Sequence, residues 1–401
     1  MKKVNNYNEY DDFEKVFSYE HLLKSADLCK RNVFWKASVQ NFMYEKEFNV
    51  SVIHNELMNN CFKIKHRHKF QLYERGKLRT IQSVHIRERV VQRCLCDYCL
   101  TPILEPTLCY DNCASQKYKG VSFAINRVKR HLQKYYRKFG NDGYVLLFDY
   151  SNYFGSIDHE IIMNNVKKYV TDKRILDLLQ LFINEFDEGL GLGSQVSQVL
   201  SLYAASPIDH MIKDEMRFKY YIRYMDDGLI IHNDKKELEE LLEKIILLSK
   251  ELGLTINKKK THITSITNFR FLKKRFFLMD NGKIIVKLSA DSITRMRRKL
   301  KKYEGLYNAG KISLENIETS YKSWRGFALQ YNSYNSVQRL DEYYKELITK
   351  IMGKDKTKLE SYKKEDDKLL SLPCIERKMW LMFNTVIELN NVRKNANYYT
   401  K

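Results

Sequence analysis

Two places in this sequence put acids where a folded core calls for apolar side chains. The run Tyr144-Val145-Leu146-Leu147-Phe148 ends on Asp149, and Arg223-Tyr224-Met225 is followed by Asp226-Asp227. A carboxylate at the end of a buried strand is costly unless a cation neutralises it. Two adjacent aspartates at a chain reversal repel each other for the same electrostatic reason. Carboxylate oxygens are hard ligands of the kind Mg²⁺ favours, often with substrate phosphates completing its shell. Two such ions side by side can activate a hydroxyl nucleophile and stabilise a leaving pyrophosphate. The plainer alternative for the second place is a solvated hairpin, because Asp227-Gly228 is a common turn signal.

These acids need strands to hold them. The continuous apolar run before Asp149 has the pattern of a buried strand. Residues 220–232 alternate around Met225-Asp226-Asp227-Gly228, which predicts strand, turn and strand, with Asp-Gly at the turn. A helix is expected over 199–213. The clearest helix is 235–252, where Leu238, Leu241, Leu242, Ile245, Ile246, Ser249 and Leu252 share a face. Upstream, the apolar spacing of Phe13, Val16, Phe17, Leu22 and Leu23 makes 1–60 helical. Phe70-Gln71-Leu72-Tyr73 and the turn-like Glu74-Arg75-Gly76-Lys77 read as a hairpin. A helix over 87–100 follows, interrupted by Pro102 and Pro106. The chain has no internal repeat and no Gly/Ser/Pro linker, so its lobes should pack together.

Charge points to the partner. The 401 residues include 70 Lys+Arg against 49 Asp+Glu, a formal +21. Such an excess repels itself unless a polyanion neutralises it. Nucleic acid is the first candidate and an anionic membrane surface the second; a generic lysine bias is the bland alternative. The 44% hydrophobic content suffices for a sizeable core. The start, Met1-Lys2-Lys3-Val4-Asn5-Asn6-Tyr7, lacks the apolar centre of a signal peptide, and no apolar run is long enough to span a bilayer. A soluble, cytoplasmic protein is expected, with its eight cysteines reduced. Cys94, Cys96, Cys99, Cys109 and Cys113 cluster, but no CxxC pair is followed by a second. Buried thiols are expected in preference to a zinc site.

In their order, these motifs resemble those of reverse transcriptases. Tyr224-Met225-Asp226-Asp227 matches the family tetrapeptide, and Phe148-Asp149 with Phe154 and Ile157 matches the first palm motif. Between them, Gly189-Leu190-Gly191-Leu192-Gly193-Ser194-Gln195-Val196-Ser197-Gln198 is similar to the family's template-and-nucleotide loop. The resemblance covers about residues 60–330. It implies an α+β right-hand polymerase with a helical N-terminal extension (1–60), fingers (61–143), palm (144–285), helical thumb (286–350) and a helical C-terminal tail (351–401).

The resemblance also assigns roles. Asp149 and Asp226 would bind two Mg²⁺ ions, with Mn²⁺ as a substitute, Asp227 in support and the Tyr150 carbonyl facing a metal. Lys77 and Arg79, with Arg87, would hold the triphosphate of a dNTP. Lys117, beside Gly120, would assist where the family usually has arginine. Phe154 would lie under the sugar and select dNTPs over NTPs; its alternative is a plain core residue. Gly193 and Gln198 belong to the nucleotide loop. Lys260 would protonate the leaving pyrophosphate, with Lys258 and Lys259 as competitors. Phe271-Leu272-Lys273-Lys274-Arg275-Phe276 resembles the primer-gripping hairpin without its usual glycine. Arg295, Arg297, Arg298 and Lys299, in the basic stretch 295–302, would track a duplex backbone from the first thumb helix. Trp324 is read as core.

The implied activity is RNA-directed DNA synthesis on an RNA template, from a nucleic-acid primer or by self-priming. A non-coding RNA, an accessory protein and a second copy of the chain are further candidate partners. Untemplated synthesis shares every catalytic residue, and a catalytically silent RNA-binding scaffold is the reading from another class. The length leaves no room for the usual RNase H domain, and no zinc endonuclease tail is evident. Ser197-Gln198, where many relatives have Ser-Pro, resembles the diversity-generating and anti-phage bacterial groups. Ala205-Ser206-Pro207-Ile208-Asp209 departs from the former and tips the reading to defence.

Overall fold

A computed structural model describes residues 9–65, 67–74 and 76–352, with the side chains of Arg67, His68, Glu74 and Lys77 outside that description. The chain divides into two units, Met1–Ile266 and Thr267–Lys401. In the first, side-chain caps start helices where the sequence supplies them. Asp12 caps α1 (Phe13–Val16) and Ser18 caps α2 (Tyr19–Cys29); α3 (Ala37–Tyr44) and α4 (Lys46–Met58) follow. The hairpin strands β1 (Arg67–Glu74) and β2 (Lys77–Val84) pair antiparallel. Then come α5 (Ile86–Leu95), a π turn at Cys96–Leu100, and α6 (Thr101–Leu104). The expected break at Pro102 is instead a continuation. Proline falls in the first turn of α6, just after the ladder has widened.

After α7 (Val121–Phe139) the chain enters the central sheet as β3 (Tyr144–Asp149). Helices α8 (Tyr153–Ser156), α9 (His159–Val166), α10 (Lys173–Ile183), α11 (Gln195–Ala204) and α12 (Ser206–His210) intervene before β4 (Tyr220–Tyr224) and β5 (Asp227–His232). Helix α13 (Lys235–Glu251) and β6 (His262–Ser265) complete the unit. The sheet order is β4-β5-β3-β6. The helix expected over 199–213 is broken between α11 and α12, with Pro207 in the first turn of α12.

The turn between β4 and β5 corrects one expectation. Tyr224 pairs with Asp227, so Met225-Asp226 forms the turn and Asp227-Gly228 begins the strand. Met225 carries the left-handed conformation, φ 53°. Gly228 is needed for another reason: a Cβ there would lie 2.1 Å from the Phe148 ring. The glycine makes room for an aromatic on the neighbouring strand, which outweighs the local turn preference of Asp-Gly.

In the second unit, β7 (Asn268–Phe271), β8 (Lys274–Leu278) and β9 (Ile284–Leu288) form an antiparallel sheet. The Leu272-Lys273 turn reverses the chain with both residues left-handed, φ 47° and 60°, in the absence of glycine. The unit boundary thus falls inside 144–285. Helices α14 (Ala290–Asn308), α15 (Leu314–Ala328) and α16 (Tyr334–Met352) bury Met296, Leu300, Ile317, Tyr321, Leu340 and Tyr344. Trp324 packs against this core. Of the expected tail, residues 353–401 lie outside the described residues. Among those described, no helix is long and apolar enough to cross a membrane.

Candidate functional site

Strands β3 and β5 run antiparallel in a register that sets Asp149 directly opposite Asp227. Asp226 is the second residue of the turn entering β5, so three carboxylates meet at one end of the central sheet. Asp149 is 5% exposed, and the other two are half-buried. Burial, then the charges of Asp226 and Asp149, push Asp227 up to about 7. Burial and Asp149 also raise Asp226, against the pull of Lys260 and Arg79.

The segment after α13 answers this charge. Lys260 Nζ donates to Asp149 Oδ2 at 2.7 Å, and Asn257 Nδ2 donates to Oδ1 at 3.1 Å. That hydrogen bond raises the Lys260 ammonium above its ordinary value. Of the three lysines 258–260, Lys260 is therefore the one whose ammonium meets Asp149. The backbone is stitched as well: Asn257 N donates to Asp149 O at 2.7 Å and Ser151 N to Thr255 O at 2.8 Å. These bonds flank a bridge between Tyr150 and Ile256, so the Tyr150 carbonyl is not used in that pairing.

The donor set fits a hard divalent cation. Burial, with the charge of Asp149 beside them, raises the proton affinity of Asp226 and Asp227, and one ammonium is set among the three carboxylates. Among the described residues no three His, Cys, Asp or Glu side chains converge as a ready-made metal cage. Asp149 is instead satisfied by Lys260 and Asn257. Substrate phosphates commonly supply much of a Mg²⁺ shell, which suits an open carboxylate platform.

Beneath the turn lies a pair that the sequence motifs did not reveal. Arg223 is fully buried; its Nε and Nη2 donate to the two oxygens of Asp209, each at 2.7 Å. Its Nη1 donates to Met225 O at 3.0 Å and its Nη2 to Leu202 O at 2.8 Å. Tyr221 donates its hydroxyl to Asp209 at 2.6 Å. The guanidinium therefore ties the carbonyl of the turn to α11 and α12. The available signal was an arginine inside an otherwise apolar strand, and an aspartate beside Pro207-Ile208.

A cavity of about 490 Å³ is lined by Phe154, Gly191, Leu192, Gly193, Ser194 and Gln198, with Arg93 and Gln195. The loop is pinned by Leu190 N donating to Phe154 O at 2.6 Å and Gln82 N donating to Leu192 O at 3.1 Å. Gly193, φ 115°, sits so close to β2 that a Cβ would lie 2.3 Å from Gln82 O. Gln198 donates to Ser115 Oγ at 3.0 Å.

The cations divide into groups. Arg79 is exposed on β2, and its charge is felt at Asp226. Lys77 begins β2, with its side chain outside the described residues. Lys117 is exposed and lies over the Tyr118 ring, 5.2 Å from its centroid. Arg87 is a correction: it is buried against the Phe62 ring and paired with Glu56 and Glu88, so it is not free to hold a phosphate. In the second unit, Arg295, Arg297, Arg298 and Lys299 are exposed on α14, while Met296 and Leu300 turn inward. The cysteines described are free thiols; Cys94, Cys96, Cys99 and Cys113 are buried, and burial raises each thiol.

Residues 64–277 match the family profile described as reverse transcriptase (RNA-dependent DNA polymerase). Over 249 residues the chain is 24% identical to a COX1/OXI3 intron 1 protein of Saccharomyces cerevisiae, covering 58% of this chain and 28% of that protein. Over 244 residues it is 25% identical to the protein YkfC of Escherichia coli, covering 50% and 63% respectively. The chain thus spans less than two thirds of either relative. Among solved structures, a telomerase from Candida albicans in complex with a fragment of telomeric RNA superposes with a TM-score of 0.46 at 12% identity, over 73% of this chain and 55% of that one.

Proposed function

Since the chain belongs to the reverse transcriptase (RNA-dependent DNA polymerase) family, we propose that it makes DNA from dNTPs on an RNA template at Asp149, Asp226 and Asp227. The observation that carries this reading is the register of β3 against β5, which sets Asp149 across from Asp227 beside the turn that holds Asp226. Two Mg²⁺ ions, or Mn²⁺, would be held by Asp149 and Asp226, with Asp227 in support and the Tyr150 carbonyl adjacent. Bound there, they supply activation of the primer hydroxyl and neutralisation of the phosphates.

The chain's own residues do the rest. Lys260 carries a proton on Nζ beside the acids and delivers it to the leaving pyrophosphate. Arg79 and Lys77, with Lys117, neutralise the triphosphate. Phe154 fills the space a 2′-hydroxyl would need and so favours dNTPs. Gly193 and Gln198 shape the cavity around the nucleotide. Residues 61–143, 144–285 and 286–350 serve as fingers, palm and thumb, and the exposed cations of α14 track the duplex backbone.

The test supplies purified protein, with any RNA that copurifies, with Mg²⁺ and labelled dNTPs or NTPs, beside an Asp226→Ala/Asp227→Ala control. A dNTP-dependent product that matches the bound RNA and disappears in the control is expected. A product without such a match would indicate untemplated synthesis, and no product on a supplied primer-template would favour the scaffold. For biological role we read anti-phage defence over diversity generation, from Ser197-Gln198 and the segment 205–209. Equal phage plating with and without the Asp226→Ala/Asp227→Ala change would remove that role.

A further inference from the structure

Phe154 stands on α8, a helix of four residues that Asn152 enters from the left-handed region, φ 48°. A single helical turn does not hold itself together in water. Its anchors come from elsewhere in the fold. On one side Tyr153 donates its hydroxyl to Ser201 O at 2.6 Å. On the other lies the loop between α10 and α11. There Leu190 N donates to Phe154 O at 2.6 Å. Gly189, φ 63°, rests so closely on the turn that a Cβ would lie 2.5 Å from the Gly155 backbone. Where the Phe154 ring sits therefore depends on where residues 189 and 190 sit.

A side chain holds that loop in turn. His159 opens α9, just after Asp158, whose carboxylate caps the helix by accepting from Ile161 N at 2.9 Å. His159 Nε2 lies 2.6 Å from Gly189 O. A carbonyl can only accept, so Nε2 carries the proton and donates. Gly189 is buried, and a buried carbonyl needs a donor. The segment 154–159 thus grips two adjacent loop residues, Leu190 through a backbone carbonyl and Gly189 through an imidazole. The loop then runs on as Gly191, Leu192 and Gly193, which line the nucleotide cavity together with Phe154. His159 is not among the residues lining that cavity, yet it ties both of its walls to one point.

We propose that His159 is a positioning residue for sugar selection. It fixes the separation between the Phe154 ring and the loop, and so the space left at the 2′ position of a nucleotide. This rests on the proposed function, in which Phe154 lies under the sugar.

The experiment compares His159→Phe, which keeps a ring and removes the donor, with His159→Gln, whose side-chain amide keeps a donor at similar reach. Single-nucleotide incorporation on a primer-template gives kcat/KM for a dNTP and for the matching NTP. His159→Phe should lower the preference for the dNTP by about three- to tenfold, the scale of one neutral hydrogen bond. His159→Gln should keep the wild-type preference. Phe154→Ala should lower it further, and adding His159→Phe to Phe154→Ala should change nothing more, because His159 acts through that ring. Hydrogen exchange gives a reading that needs no synthesis. The Leu190 amide should exchange faster in His159→Phe than in wild type or His159→Gln. If His159→Phe melts early, His159→Ala takes its place, alanine being a good helix former.

Equal losses for dNTP and NTP, additive effects in the double variant, or His159→Gln behaving like His159→Phe overturns the proposal. So does unchanged exchange at Leu190. A wild type that incorporates neither nucleotide overturns the proposed function and sugar selection with it. An active wild type whose preference His159→Phe leaves unchanged overturns the role of His159 alone.

Discussion

In the central sheet, Val145, Leu146, Leu229 and Ile230 are fully buried between flanking layers, whereas on the β1–β2 hairpin Tyr73 and Leu78 are 72% and 60% exposed. The polar groups follow the same division. Arg223 donates to Asp209, Met225 and Leu202 at once, and Asp149 is held by Lys260, Asn257 and the backbone of the following segment. On the hairpin, Arg79 is presented at the surface. A two-stranded ribbon is marginal by itself, while a layered sheet resists small displacements. On the proposed function, the groups that would hold a metal within tenths of an ångström therefore sit on the layered sheet. On the same reading, the groups that would meet a polyanion sit on a two-stranded ribbon.

The largest effect that could break this contrast is at the acids. Asp149→Ala should lower dNTP incorporation by on the order of 10³-fold or more, the scale of removing a principal electrostatic contributor. Primer-extension rates check it, with circular dichroism to establish that the fold persists. A loss of tenfold or less would mean that the sheet does not position the chemistry.

Arg223→Met comes next. It leaves Asp209 buried without its partner, which should cost about 3–5 kcal/mol in urea unfolding. Arg223→Met/Asp209→Leu should recover much of that stability but not the rate, because the Met225 carbonyl stays untethered. If the double variant recovers both, the buried pair serves stability alone.

Asp227 gives a smaller effect with a definite sign. Its folded value, raised from 3.8 to about 7, means that the folded state holds the proton more tightly than the unfolded chain. Stability should fall as pH rises from about 4 to 7 and stay lowered above that. Asp227→Asn cannot ionise, so without divalent cations it should melt higher than wild type above pH 7, with the advantage vanishing near pH 4. Mg²⁺ should narrow the difference at high pH by stabilising the ionised wild type. Melting curves at pH 4, 6 and 8, with and without Mg²⁺, check each sign.

The smallest effect belongs to the ribbon. Leu78→Thr, at an exposed position, should change stability by no more than about 0.5 kcal/mol. Arg79→Ala should likewise leave unfolding unchanged while raising the KM for dNTPs. A destabilisation as large as that of Arg223→Met would show that the hairpin is packed like the sheet, and would erase the contrast.

The sequence by itself determined which residues are chemically out of place. Asp149 ends an apolar run, Asp226 and Asp227 stand together, and the helical face expected over 235–252 is explicit in its spacing, the observed helix being Lys235–Glu251. Local pattern suffices there because burial and like-charge repulsion are properties of neighbours in the chain. Tertiary structure alone decided the rest. Asp-Gly left the turn because Phe148, on a different strand, needs the space over Gly228. Arg87 left the basic set because Glu56, thirty-one positions away, is packed against it. Arg223 found Asp209 through the fold, and Lys260, rather than either neighbouring lysine, met Asp149. Each of these outcomes depends on a partner distant in sequence, and the energy of a buried ion pair or close contact depends on distances that exist only once the chain has folded.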